Sequence, residues 1–154
     1  IVQHVDAQFA PGLASWLDLQ TAMPVRIAQQ GDQPKPGVVL LAGTENHLIF
    51  IGPHRLGYTV HPRDTSYRPS VDVFLMSVDR FWQGDVIGVL LTGMGRDGAE
   101  GCRLVRGRGG QVVAQDADGC TVYGMPKAVV QAGLADEVVK LPQIAAAVQR
   151  LVGR

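Results

Sequence analysis

Apolar residues along this chain form two kinds of segment, short uninterrupted runs and longer stretches with helical periodicity. The run VIGVLL, from Val86 to Leu91, has apolar side chains at five of its six positions and carries no charge. Such a run is typical of a parallel strand buried on both faces, so we predict a central strand here. The turn TGMGRDG and the helical stretch AEGCRLVRGRG follow. The pattern therefore predicts a strand, a glycine turn and a helix in succession.

Helical spacing of apolar residues recurs in four further segments. The first has Phe9, Leu13, Trp16 and Leu17 on one face, which predicts a helix that packs through this stripe. Ser70 precedes the second stripe and is a good N-cap for it. The other segments are MPKAVVQAGLA, with Pro126 near its start and Gly133 at its close, and a C-terminal helix over 142–152.

Strand signals fill most of the remaining chain. VVLLA, HLIFI and LGYTVH, separated by GTEN and GPHR, predict a β meander of hairpins. Single strands are predicted over 1–3 and 25–28 and within QVVAQD and EVVKL. Because strands alternate with helices at both ends, we predict one α/β domain over residues 1–154, with a mainly parallel sheet, helices on both faces and a β-hairpin insert.

Composition narrows the class of protein without naming a partner. The 154 residues carry zero formal net charge and are 46% apolar, as in an ordinary globular protein. There is no basic excess for nucleic acid and no apolar run long enough to cross a membrane, so we expect a cytoplasmic protein with neither partner. Cys102 and Cys120 are too few and too isolated for a disulfide framework or a zinc site, and we expect both to be reduced thiols.

Candidate chemistry gathers at the carboxyl ends of the predicted parallel strands, where ligands and catalytic groups meet in open α/β sheets. The glycine turn places Met94, Arg96 and Asp97 at this edge, and its glycines permit positive φ and close approach to a ligand. His4 follows the predicted strand over 1–3, so we expect His4 to lie at the same edge of the sheet. His4 and Asp97 are therefore expected to meet.

The glycine turn admits a nucleotide-binding interpretation. Gly93, Gly95 and Gly98 match G-x-G-x-x-G between a strand and a helix, and Asp116 follows about 20 residues later, where a ribose-binding acid belongs. Against this, few residues follow Asp116, and the Asp97 carboxylate would repel a pyrophosphate at the helix N-terminus.

A second interpretation is structural, and a third is catalytic. Asp97 followed by Glu100 resembles a capping box, which needs no catalytic role. Alternatively, an ionised Asp97 orients His4 as a general base while the Met94 N–H stabilises an oxyanion. The nucleophile is missing from this arrangement, because none of the serines, Ser15, Ser66, Ser70 and Ser77, lies in a glycine-flanked turn between a strand and a helix.

Four motifs carry a resemblance over nearly the whole chain. LLTGMGRDGAEG, RPSVDV, the opening QHV with FAPGLASWL, and VYGMPKAV closely resemble the catalytic domain of the CheB-type chemotaxis protein-glutamate methylesterases. The resemblance implies a Rossmann-like methylesterase fold and a Ser-His-Asp hydrolase that needs no metal or cofactor. It implies that γ-glutamyl methyl esters on the cytoplasmic part of chemoreceptors are hydrolysed and that glutamines are deamidated in many members, within a two-component phosphorelay.

Site residues follow from the matching motifs. The histidine of the QH pair is His4, the aspartate of the GMGxDG turn is Asp97, and Met94 matches the residue whose N–H belongs to the oxyanion hole. Arg68 and Arg96 lie in predicted loops where they can meet an acidic receptor surface. The nucleophilic serine of the family lies in a turn of the type GASTGG after the first strand, upstream of the QH pair, and the 154 residues contain no such turn.

The opening IVQHV has no methionine and resembles the inside of a strand, so we expect an N-terminally truncated catalytic domain without its receiver domain. Without an attacking hydroxyl, the chain as given is expected to be inactive. A non-catalytic binding or regulatory module remains the main alternative, ahead of a nucleotide-binding domain that uses the three glycines of the turn.

Overall fold

Short strands and helices alternate in the computed structural model, which describes residues 1–153. The chain divides into two compact units, of which the first is Ile1–Gln83 and the second begins at Gly84. The strands are β1 Val25–Ile27, β2 Val39–Leu41, β3 His47–Gly52, β4 Arg55–Thr59, β5 Ile87–Leu90, β6 Gln111–Gln115 and β7 Glu137–Val139. The helices are α1 Ala10–Gln20, α2 Val71–Phe81, α3 Ala99–Gly107, α4 Met125–Gln131 and α5 Ile144–Val152, the last after a 3₁₀ turn at Leu141–Gln143.

A parallel pair of strands begins the first unit. β1 and β2 are aligned with Val25 opposite Val39, and α1 packs against β1. The predicted meander is therefore wrong for β2, which pairs with β1 and not with β3. Parallel strands need a crossover of roughly a dozen residues, and the Pro- and Gly-rich segment between β1 and β2 supplies it. Ile1 lies beside β2, because its carbonyl accepts a hydrogen bond from the Ala42 N–H at 2.9 Å.

The exposed face of α1 corrects a second expectation. Phe9 and Trp16, predicted to pack, are 61% and 57% exposed, while the buried residues of the helix are Ala10 and Ala14. The small side chains of these alanines let the helix lie close to β1. Within residues 1–153, no helix is both long enough and apolar enough to traverse a bilayer.

The predicted hairpin and the predicted second helix of this unit are confirmed. β3 and β4 are antiparallel, and α2 packs against β3. Ser70 is the N-cap of α2, and its hydroxyl accepts the Val73 N–H at 3.3 Å. The Ser77 hydroxyl accepts the Phe50 N–H at 2.8 Å and donates to the Phe74 carbonyl. This hydroxyl ties the helix to the strand.

The second unit is a parallel sheet with the strand order β5-β6-β7. Val113 of β6 packs against α5. The preceding residue of β6, Val112, lies beside Gly88 of β5, as does Cys102 of α3. Since neighbouring residues of a strand point to opposite faces, helices cover both faces of the sheet, as predicted. The predicted burial of β5 on both faces is wrong, because Val89 is 37% exposed. β6, which lies between two neighbours, is instead buried at four of its five positions.

Candidate active site

The glycine turn, residues Thr92–Gly98, starts two residues after β5 and leads into α3. Gly95 and Gly98 have φ of 83° and 97°, in the left-handed region that favours glycine, as predicted. Gly93 differs from the prediction, because its φ is not positive. A close approach explains this glycine instead, since a Cβ there would lie 2.6 Å from the Met125 Sδ.

Asp97 is buried within the turn and lies one residue before the N-cap of α3. The N-cap is Gly98, which makes no side-chain capping bond, and Glu100 forms an exposed ion pair with Arg103 at 3.3 Å. The capping-box interpretation of Asp97 is therefore wrong. Asp97 is only 7% exposed, so its carboxylate lies inside the fold at the base of the turn.

A second loop, the β6–α4 loop (Asp116–Gly124), locks the glycine turn in place. The Gly93 N–H donates to the Val122 carbonyl at 3.0 Å, and the Gly93 carbonyl accepts from Gly124 at 3.1 Å and from Met125 at 2.8 Å. A Cβ at Gly124 would lie 2.6 Å from the Gly93 carbonyl oxygen, so only glycine fits there. The GMP segment of VYGMPKAV thus serves to position the glycine turn.

Gln115, the last residue of β6, joins both loops and was missed by the sequence analysis. Its side chain is 1% exposed. The Thr92 N–H donates to Oε1 at 2.9 Å, and Nε2 donates to the Gly119 carbonyl at 2.5 Å. The one available signal was a polar residue at the end of the otherwise apolar run VVAQ. That run predicted a strand and nothing about the site.

Met94 stands at the exposed tip of the clamped turn. Its side chain is 71% exposed. Within the part of the chain that the structure describes, no acceptor takes the Met94 N–H. A backbone N–H that is held in a rigid turn and makes no bond within its own fold can stabilise an oxyanion without reorganisation.

His4 belongs to the first unit, where it follows the stretch that lies beside β2. Its imidazole is stacked on the phenol ring of Tyr67, with ring centroids 4.1 Å apart and an angle of 3° between the planes. Tyr67 was not among the predicted site residues, although it is an aromatic residue in a loop otherwise made of polar residues and proline. Asp97 belongs to the second unit, and its hydrogen bond to His4 stays a prediction.

None of the serines has the environment of a nucleophile. Ser15 lies exposed in α1 and Ser66 exposed in a loop, with no glycine turn around either. Ser70 and Ser77 are buried and already hydrogen bonded, as described above. Cys102 and Cys120 are both free thiols, as expected. Burial raises the pKa of the Cys120 thiol, which keeps it protonated at neutral pH.

Charged groups around these loops are mostly structural or exposed. Arg68 and Arg96 are both exposed, and the Arg68 guanidinium donates to the Arg63 carbonyl at 3.0 Å. Asp116 accepts the Gly119 N–H at 3.1 Å, which shapes the β6–α4 loop. Across residues 1–153 there is no group of three or more His, Cys, Asp or Glu side chains arranged to hold a metal ion.

Known proteins resemble this chain in sequence and in structure. The family model for CheB methylesterase matches residues 1–148. A protein-glutamate methylesterase/protein-glutamine glutaminase of Cupriavidus pinatubonensis is 54% identical over 144 residues, covering 94% of this chain and 42% of that protein. One from Pseudomonas aeruginosa is 51% identical over 145 residues, again covering 94% of this chain, and 43% of that protein. The chain thus spans less than half the length of these curated relatives.

A solved structure gives the same result at the level of the fold. The crystal structure of the Thermotoga maritima CheB methylesterase catalytic domain matches with a TM-score of 0.91 and 35% sequence identity, covering 97% of this chain and 81% of that one. With a family model matched over nearly all of its residues, this chain belongs to the CheB methylesterase family.

Proposed function

We propose that this chain is the catalytic region of a protein-glutamate methylesterase, which hydrolyses γ-glutamyl methyl esters on the cytoplasmic part of chemoreceptors. Family membership supports the chemistry. The observation that carries the proposal is the glycine turn itself, clamped by the β6–α4 loop with the Met94 N–H unbonded. Such a turn is what acyl transfer needs to stabilise a tetrahedral intermediate.

In the proposed mechanism, His4 is the general base. It takes the proton of a serine hydroxyl as the serine oxygen attacks the ester carbon, and the Met94 N–H donates to the oxyanion that forms. His4 then gives the proton to the departing methanol, which leaves an acyl-enzyme. Water, activated by His4, releases the glutamate. Asp97 orients the imidazole and stabilises its protonated form. The same steps release ammonia when a glutamine amide replaces the ester.

The serine itself is proposed to come from outside these 154 residues. The environments of Ser15, Ser66, Ser70 and Ser77 support this, because none presents a hydroxyl in a glycine turn after a strand. The family pattern implies a turn of the type GASTGG ahead of His4. A receiver domain that gates the site by aspartyl phosphorylation is proposed as a further part of the complete protein.

Recognition of the receptor is proposed to involve the exposed cations of the loops. Arg68 and Arg96 are exposed arginines on two different loops, where they are proposed to meet acidic groups of the receptor. Long-range attraction of this kind raises the association rate at low ionic strength and is screened by salt.

The test is methanol release from a methylated receptor fragment by the protein made from its complete open reading frame. His4→Ala and Asp97→Asn are each expected to lower kcat roughly a thousandfold or more, since both belong to the proposed triad. Glu100→Gln is the matched control, because Glu100 is an exposed carboxylate in the first turn of α3, and this variant should keep the wild-type rate. Full activity in His4→Ala would contradict the proposed role of His4, whereas a wild-type protein that releases no methanol would favour a binding module.

A further inference from the structure

We propose that Tyr67 is a positioning residue for the general base, acting through its ring face on the imidazole of His4. The inference deepens the proposed function and rests on it, because it assumes that His4 carries the proton. Nothing in the motifs that identify the family site assigns a role to this tyrosine.

The geometry of the contact is that of a face-to-face stack. The two ring centroids are 4.1 Å apart and the planes differ by 3°. A parallel stack fixes the plane of the imidazole while leaving both nitrogens on the ring edge, where they can exchange protons and hydrogen bonds. The face of a phenol ring also attracts a cation, so the stack favours the imidazolium that forms during the reaction.

The loop that carries Tyr67 is held independently of His4. His47, which is fully buried in β3, accepts the Ser70 N–H on Nδ1 at 3.1 Å. Its Nε2 therefore carries the proton and donates to the Pro62 carbonyl at 3.0 Å. One side chain thus pins both ends of the segment 62–70, between which Tyr67 lies. The phenol ring is presented to His4 by a fixed loop.

The ring, and not the hydroxyl, is the functional part of Tyr67. Over residues 1–153 the Tyr67 hydroxyl makes no hydrogen bond, whereas the Tyr58 hydroxyl donates to the Ala28 carbonyl at 2.8 Å. Phenylalanine at position 67 is therefore expected to replace tyrosine without loss. Leucine or methionine, which fill space but have no planar face, are not.

Methanol release by the protein from its complete open reading frame tests this. Tyr67→Leu and Tyr67→Met should lower kcat about 10-fold with KM changed less than about 2-fold, and Tyr67→Phe should stay within about 2-fold of wild type. In a His4→Ala background, Tyr67→Leu should have no further effect, because the residue acts through His4. Two ring-removing variants are used so that the test survives if one fails to fold.

A spectroscopic measurement gives a second readout, which tests the stacking contact itself in solution. In wild type and Tyr67→Phe, the ring protons of His4 should be shifted upfield by the stacked aromatic ring, and in Tyr67→Leu this shift should vanish. The His4 resonances are assigned by their loss in His4→Ala.

The outcomes separate this inference from the proposed function. Three results would overturn the role of Tyr67 in a protein whose His4→Ala variant is inactive. They are a wild-type kcat in both ring-removing variants, a rise in KM alone, and an upfield shift that persists in Tyr67→Leu. Activity that survives His4→Ala would overturn the proposed mechanism on which this inference rests, whereas a wild-type protein that releases no methanol would overturn the proposed function itself.

Discussion

Gln115 shows how one buried amide can hold two loops at a fixed distance. Its Oε1 satisfies the N–H of Thr92, and its Nε2 satisfies the carbonyl of Gly119. An apolar residue at this position removes both hydrogen bonds, each of which contributes about 0.5–1.5 kcal/mol to stability. The same change loosens the glycine turn that presents the Met94 N–H.

We therefore predict that Gln115→Leu lowers both stability and turnover. The free energy of unfolding should fall by about 1–3 kcal/mol, as measured by urea denaturation, since two part-buried hydrogen bonds are lost. Methanol release should fall through kcat because the oxyanion donor is no longer held in place. Gln111→Leu, at the other end of β6, is the control, because the Gln111 side chain makes no hydrogen bond within residues 1–153. Equal behaviour of the two variants would contradict the bridging role.

At the scale of elements, the junction between the hairpin and α2 depends on a histidine with no catalytic role. His47 lies in β3, yet its two nitrogens bond to Pro62 and Ser70, at the two ends of the loop before α2. Ser70 is also the N-cap of α2. The start of the helix, the loop and the strand therefore form one connected element.

Replacement of His47 by alanine is predicted to destabilise the protein by about 3–4 kcal/mol, because it leaves a cavity and two unpaired backbone groups. The loop carrying Tyr67 should become mobile, which lowers kcat as well. His61→Ala is the matched control, since His61 lies exposed in the same loop. Thermal or urea unfolding of the two variants checks this, and equal stability would show that His47 is not the anchor.

At the scale of the whole molecule, the proposed site is incomplete within the 154 residues. The proposed base is His4, the proposed orienting carboxylate is Asp97 and the proposed oxyanion donor is Met94, but no attacking hydroxyl accompanies them. Binding and oxyanion stabilisation alone cannot form an acyl-enzyme. The catalytic groups would thus be shared between this chain and a segment outside it.

The isolated 154-residue chain is accordingly predicted to release no methanol above the uncatalysed rate, while the product of the complete open reading frame turns over. Circular dichroism of the isolated chain establishes that it is folded when assayed. Turnover by the 154 residues would mean that one of their own serines is the nucleophile, and alanine variants of Ser15 and Ser66, the two exposed serines, would identify it.

The sequence by itself determined most element positions and the family. Ser70 as an N-cap, the left-handed glycines Gly95 and Gly98, and the apolar runs of β5 and β6 are local signals, each encoded within a few residues. Local backbone preferences are set by neighbouring side chains, so such signals can be interpreted without knowing the fold. The motifs around His4 and Asp97 added the candidate catalytic groups.

Only the tertiary structure decided which segments meet. Three features join residues that are distant in sequence: the pairing of β2 with β1, the amide of Gln115 between two loops and the stacking of Tyr67 on His4. A fourth, the exposure of Trp16, depends on which segments cover α1. The apolar pattern of one strand is compatible with several neighbouring strands. A single aromatic residue in a loop belongs to no periodic pattern from which its contact could be predicted. Which of these contacts form is set by strand register and loop closure, and both are determined only when the whole chain packs.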